Sequence, residues 1–232
     1  MYALVLAGGK GERLRPYTDD KPKPMVEIGG KPILAYQIEW LKREGITDII
    51  VLCGYCHQVI RDYFGDGQKW GLHIDYITED EPLGRGGAFK QGFKRIPATE
   101  SLVVATNGDT ITTQALQPMI KAHEASGALA TIMLTRFLSP YGIVKVAKDN
   151  RVMGFAEKPQ LPYWINAGVY IFSSQCSQYL PNKGDHEDST FPELARKGRL
   201  NAFKSQAFWK AIDTVKDLSD ATRELVEYPF FD

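Results

Sequence analysis

Gly8, Gly9 and Gly11 interrupt an apolar run, and Arg13, Arg15, Lys21 and Lys23 follow within a few residues. Glycines let the backbone turn sharply and bring bare N–H groups close to a ligand. Backbone donors beside mobile cations are the chemistry of polyphosphate binding. A dinucleotide fingerprint wants Gly-x-Gly-x-x-Gly; Gly9 and Gly11 fit, but Leu14 stands where the third glycine belongs. A P-loop wants Gly-Lys followed by Ser or Thr, and no such run follows Gly8 at that spacing. The plain alternative is a solvated basic turn. Four cations around three glycines favour the phosphate site.

A carboxylate is the natural complement. Ser101-Leu-Val-Val-Ala-Thr-Asn-Gly-Asp109 is an apolar run ending in an acid, and functional residues of open α/β sheets gather at the carboxyl ends of strands. Read alone, Asp109 serves equally well as a cap for the next helix. Beside a phosphate loop it suits Mg²⁺, which takes one or two carboxylates plus phosphate oxygens.

The elements that must carry these residues follow from the pattern. Tyr2 to Leu6 is a continuous apolar run, as in a strand buried on both faces. Ile33, Leu34, Ile38 and Leu41 space like an amphipathic helix over 33–44, with Gly45 to stop it. Asp48 to Cys53 is the next strand, so the first ~50 residues form a βαβ unit with a parallel sheet. A helix over 59–64, a strand over 73–78, a glycine-rich turn from Glu79 into a helix near Phe89, a helix over 116–126 and a strand over 128–135 continue the alternation. Residues 141–146 and 152–155 form a hairpin with Asp149-Asn150 in its turn. An aromatic strand from Ala207 ends at Asp213, and a final helix runs from Val215 to about Glu227. Trp40, Phe89, Phe93 and Phe155 are assigned to the core.

Leu6-Ala-Gly-Gly-Lys-Gly-Glu-Arg-Leu14 followed by Lys21-Pro-Lys-Pro-Met25 resembles the signature of the sugar-1-phosphate nucleotidyltransferases, which join a nucleoside triphosphate to a sugar 1-phosphate and release pyrophosphate. Glu12 departs from the family's usual Thr or Ser. The resemblance covers most of residues 2 to 225, with the motifs in family order. It implies a nucleotide site of Leu6, Ala7, Gly8, Gly9, Gly11, Arg13, Lys23, Asn107 and Gly108, joined by Leu83, Gly84, Gly86 and Gly87, where Arg85 replaces the usual Thr. Gly142, Glu157, Lys158, Asn166 and Gly168 match the sugar-phosphate pocket, and Asp109 with Asp213 the Mg²⁺ ligands. Arg13, Lys23 and Asp109 are the implied catalytic residues. The implied fold is a single Rossmann-like three-layer α/β/α domain over 1–232, with a mainly parallel mixed sheet. Several relatives carry a C-terminal left-handed β-helix, and this chain has no stretch for one after Asp213.

Composition narrows the partners. The 232 residues carry 28 basic and 28 acidic side chains, which argues against a nucleic-acid or membrane-surface binder. Three cysteines and no leader-like start fit the cytoplasm. Cys53 and Cys56 have redox spacing but no completing pair, and 185–188 reads as a solvated acidic turn. The substrates expected are GTP and mannose 1-phosphate. Residues 24–33 and 208–214 also resemble glucose-1-phosphate cytidylyltransferases, and heptose or N-acetylmuramate 1-phosphate is an alternative acceptor. A catalytically silent sugar-nucleotide sensor and a glycosyltransferase are rival classes, although Asn107-Gly-Asp109 lacks the Asp-x-Asp of the latter. A homodimer is compatible with the apolar content.

Overall fold

The computed structural model describes residues 1–227, so the last five residues of the expected 1–232 domain lie outside the described residues. The strands are β1 (Tyr2–Ala7), β2 (Glu27–Ile28), β3 (Lys31–Pro32), β4 (Asp48–Cys53), β5 (His73–Thr78), β6 (Leu102–Asn107), β7 (Thr110–Thr112), β8 (Ala130–Leu138), β9 (Ile143–Val146), β10 (Val152–Ala156), β11 (Gln160–Ser173), β12 (Leu200–Lys204) and β13 (Trp209–Ala211). The helices are α1 (Ile33–Arg43), α2 (His57–Phe64), α3 (Gly84–Phe93), α4 (Leu116–Ser126), α5 (Thr190–Arg196) and α6 (Val215–Glu227).

Seven strands form the central sheet in the order β12-β8-β11-β6-β1-β4-β5. β1 pairs in parallel with β4 and β6, β4 with β5, and β8 with β12. β11 alone runs against its neighbours β6 and β8. The sheet is therefore mixed and mainly parallel, as expected. One face is covered by Leu34, Ile38 and Leu41 of α1, Ile60 of α2 and Met119 of α4. Phe89 of α3 and Phe191 and Leu194 of α5 cover the other. Alternate side chains of β1 serve both cores: Ala3, Val5 and Ala7 point one way and Leu4 the other. That explains the unbroken apolar run.

A short antiparallel ladder outside the main sheet does most to assemble the site. β7 pairs with β13, placing Thr110 opposite Ala211, and the Ile212 N–H donates to the Asp109 carbonyl at 3.2 Å. Asp109, just before β7, and Asp213, just after β13, thereby emerge side by side from the same end of one ladder. Beneath it, Ile111 and Ile212 pack with Ile28, Ile33 and Leu218. The predicted aromatic strand from Ala207 is shortened to three residues, because only those face β7.

One core assignment and one surface assignment need correction. Phe155 is 65% exposed, whereas Trp40 and Phe89 are fully enclosed and Phe93 packs at the core margin. Phe155 belongs to the β9–β10 ribbon, whose residues are exposed on both faces apart from the half-buried Gly154. The 185–188 stretch is no solvated turn either: His186 is wholly buried.

Candidate active site

The loop after β1 opens onto a cavity of about 310 Å³ lined by Leu6, Gly8, Gly9, Lys23, Asn107 and Asp109, and on its far wall by Glu79, Gly84, Arg85 and Ala88. Its glycines have separate duties. Gly9 meets nothing where a Cβ would stand, so its backbone faces open space in the cavity. Gly8 passes Gly54, and a Cβ on Gly54 would lie 3.0 Å from the Gly8 carbonyl. Gly11 has φ +67°, and a Cβ there would lie 2.7 Å from Lys23 Cβ. The Lys23 N–H donates to the Gly9 carbonyl at 3.3 Å, and Thr18 Oγ1 donates to the Gly11 carbonyl at 2.9 Å. The loop is folded back on the Lys-Pro-Lys-Pro segment, and the two halves of the signature form one unit.

Lys23 is the centre of the site. Its Nζ lies 2.6 Å from Asp109 Oδ2 and 2.7 Å from Asp213 Oδ1. Burial disfavours its charge, but the two carboxylates more than offset this and raise its pKa above the ordinary lysine value. Asp213 is also partly desolvated, yet Lys23 and then Arg13 hold its pKa below the usual carboxylate range. Arg13 Nη2 reaches the same Asp213 Oδ1 at 3.0 Å from a largely exposed position. Asp213 is oriented from behind, since Asp217 at the start of α6 accepts the N–H groups of Asp213 and Thr214 at 3.1 and 2.8 Å.

Both carboxylates thus aim at one cation-sized position beside the phosphate loop. Among the described residues no cluster of three or more His, Cys, Asp or Glu could hold a metal. A divalent ion here would complete its shell with phosphate oxygens and water, the habit of Mg²⁺. The residues fit that ion.

Other residues expected at the site divide. Leu6, Asn107 and Gly84 line the cavity. Ala7 does not; its side chain is buried in the core. Gly108 is a packing glycine, for a Cβ would sit 2.7 Å from the Leu6 carbonyl that its own N–H meets at 2.8 Å. Gly86 and Gly87 face away from the cavity, toward Pro181, Asn182 and the His186 backbone, all at 2.8 Å from a would-be Cβ. Leu83 ties down the same loop, accepting the Gly184 N–H at 2.7 Å. Arg85 completes that junction, reaching Asp185 at 2.7 Å and Glu187 at 2.8 Å. His186 lies at its centre, ringed by Phe89, Tyr170, Phe172 and Phe191.

On the sugar-phosphate side, Asn166 spends its amide locally, donating to Tyr170 Oη and accepting the Gly168 N–H, each at 2.9 Å. Gly168, at φ +71°, leaves room for Asn107, whose amide a Cβ would strike at 2.5 Å. Gly142 is pressed against Phe155 and Glu157. Lys158 lies on the exposed surface, where Lys216, by hydrogen bonding and then by charge, lowers its pKa. Lys216, in the first turn of α6, is a basic neighbour that sequence patterning did not single out. Glu79 is another. It is half-buried, accepts the Leu83 N–H through Oε2 at 3.0 Å, and has its pKa raised by burial against that bond. Its signal in the sequence was only its place at a strand end.

The chain is similar to known proteins in sequence and fold. The chain is 36% identical over 234 residues, 98% of its own length and all of the relative's, to a D-glycero-α-D-manno-heptose 1-phosphate guanylyltransferase of Aneurinibacillus thermoaerophilus. It is 34% identical to a mannose-1-phosphate guanyltransferase of Neurospora crassa over 96% of this chain, but spans only 63% of that relative. The crystal structure of HddC from Yersinia pseudotuberculosis complexed with GMP-PN matches with a TM-score of 0.77 at 30% identity, covering 97% of this chain and 99% of the other. The family model described as "Nucleotidyl transferase" matches residues 2–227, which takes in Arg13, Lys23, Asp109 and Asp213 together, and the chain belongs to that family.

Proposed function

We propose that the chain transfers a guanylyl group from GTP to a manno-configured sugar 1-phosphate, giving a GDP-sugar and pyrophosphate. The observation that carries this is the convergence of two cations and two carboxylates, Arg13, Lys23, Asp109 and Asp213, at the mouth of a nucleotide-sized cavity. The nucleotide and the sugar configuration are drawn from the relatives, one a heptose and another a mannose enzyme. Mannose 1-phosphate and its heptose counterpart are the acceptors to separate.

An oxygen of the sugar phosphate attacks the α-phosphorus, a P–O bond forms there, and the bond to the β-phosphate oxygen breaks, with pyrophosphate taking the electron pair. The acceptor is already an anion at neutral pH, so no protein nucleophile or base is required. The chain supplies in-line placement and neutralisation of crowded negative charge. Arg13 holds the departing β- and γ-phosphates, Lys23 the α-phosphate, and Lys158 the acceptor phosphate. Asp109 and Asp213 would hold Mg²⁺, which when bound would supply Lewis-acid neutralisation of phosphate charge. Glu79 lines the far wall, where its carboxylate would be an acceptor suited to the guanine amino group.

Cytoplasmic location and a homodimer belong to the same proposal. All three cysteines are free, and among the described residues no helix is long and apolar enough to cross a membrane. A pyrophosphate-release assay with Mg²⁺, crossing five nucleoside triphosphates with mannose, heptose and glucose 1-phosphates, tests the reaction. Turnover concentrated in the GTP row with a manno-configured acceptor is the expected result; a blank grid with nucleotide binding intact favours a sugar-nucleotide sensor.

A further inference from the structure

We infer that the Lys23 ammonium acts as a built-in plug for the divalent-ion position, holding it shut until a nucleoside triphosphate draws Lys23 away, so that metal and nucleotide enter as a coupled pair. The inference rests on the reading of Asp109 and Asp213 as metal ligands. Lys23 Nζ touches Asp109 Oδ2 at 2.6 Å and Asp213 Oδ1 at 2.7 Å, so the ammonium sits between the two carboxylates, in the position a shared ion would take. Mg²⁺ binds carboxylate oxygen at about 2.0–2.1 Å. An ammonium and a dication cannot occupy the same pair of oxygens at those distances, so the two states exclude one another.

The plug is held firmly. The Lys23 side chain is only 10% exposed, and both contacts are charge-assisted hydrogen bonds. Its backbone is pinned by the Gly9 carbonyl and the close passage of Gly11. Release must therefore come from rotation of the four-carbon stem, with the loop staying in place. Arg13 also rests on Asp213, from the exposed side. The two cations assigned to the triphosphate are, before it arrives, spent on the carboxylates. GTP offers both cations phosphate oxygens in exchange and frees the acids for metal. Coupling of this kind is reciprocal: metal tightens nucleotide by the factor by which nucleotide tightens metal.

Mn²⁺ titrations followed by electron paramagnetic resonance test the plug without turnover. They compare the unmodified protein, Lys23→Met, Asp109→Asn and Asp213→Asn, each with and without a non-hydrolysable GTP analogue. Lys23→Met is expected to bind Mn²⁺ without nucleotide at least ~10-fold more tightly than the unmodified chain, because no charge-assisted contact has to be broken first. If Lys23→Met binds Mn²⁺ no more tightly, while the analogue still recruits Mn²⁺ in an Asp109-dependent way, the plug is wrong and the metal site stands. If neither Asp variant alters Mn²⁺ binding even with the analogue, the metal site falls and the plug with it. Should Lys23→Met fail to fold, the Nζ resonance of Lys23 in the unmodified protein decides. It should persist when Mg²⁺ is added alone and be lost when the same Mg²⁺ arrives with the analogue; loss with Mg²⁺ alone overturns the plug.

Discussion

Arg13 and Lys23 are both signature cations, but they are anchored differently. Arg13 stands in solvent and touches one carboxylate, so its loss removes charge from the leaving pyrophosphate and leaves the fold alone. Arg13→Ala is expected to lower kcat by at least ~10²-fold, the scale for one preorganised electrostatic contact, with an unchanged melting temperature. Asp109→Asn should lower kcat by a similar factor. Steady-state kinetics beside thermal denaturation checks both, and retention of kcat in either variant removes that residue from the reaction. Glu79 makes a sharper prediction because it concerns choice of base. Replacing its carboxylate by the isosteric amide of Glu79→Gln removes one acceptor and the charge. A hydrogen bond to a charged group is worth about 1.5–3 kcal/mol, so kcat/KM for GTP should fall roughly 10- to 100-fold, with UTP much less affected. Equal losses for the two nucleotides would take Glu79 out of base selection. Arg13, Lys23 and Asp109 were legible in the sequence because each sits in a local motif of distinctive chemistry. Glu79 was not, since a glutamate after a strand is ordinary until the fold shows that it faces a cavity.

At the scale of elements, one stretch serves two demands. Leu83, Gly86 and Gly87 match a nucleotide-binding pattern, and that turn also needs small residues where residues 181–186 cross it. Sequence spacing does not separate a glycine that admits a phosphate from one that admits a neighbouring backbone. The 185–188 stretch looked polar because three acids surround one histidine; two of those acids are taken up by Arg85, and the histidine turns inward among aromatic rings. Burial first, then the Arg85 charge, pushes the His186 pKa down to about 3, against a smaller opposing effect of Asp185. Nδ1 lies 3.1 Å from Glu187 Oε2 but forms no aligned hydrogen bond with it. The folded state therefore refuses a proton that the unfolded chain accepts near pH 6.5. This contribution is fully present above about pH 6.5 and is lost progressively as pH falls toward 3, at about 1.4 kcal/mol per pH unit. His186→Phe, which keeps a ring in the aromatic box, should flatten the acid limb of the stability curve by about that slope. Urea denaturation at pH 7, 6, 5 and 4 measures it, and parallel curves for the two proteins would rule His186 out as the source.

For the whole molecule, the question is what holds the acid pair together. A mainly parallel α/β sheet was readable from the strand–helix alternation, whereas β11 was not read as a strand at all; only Asn166 and Gly168 within it were singled out, through the family resemblance. The meeting of Asp109 with Asp213 was not readable from spacing, because it depends on β7 pairing with β13 across some hundred residues; only the family resemblance linked the two. That ladder rests on Ile111, Ile212, Ile33 and Leu218, all buried, and its two carboxylates are already paired with Lys23 and Arg13. In small metal-dependent folds the ion supplies the folding energy and chelation denatures the chain. Here the apolar contacts and the internal ammonium do that work. Exhaustive treatment with EDTA is therefore expected to abolish pyrophosphate release while leaving the melting temperature within about 1 °C, a shift far below that from a 1 kcal/mol loss of stability. Added Mg²⁺ should restore the rate in full, since nothing has to refold. A melting temperature that fell by several degrees on chelation would mean that the metal, and not the β7–β13 ladder, sets the spacing of the two acids.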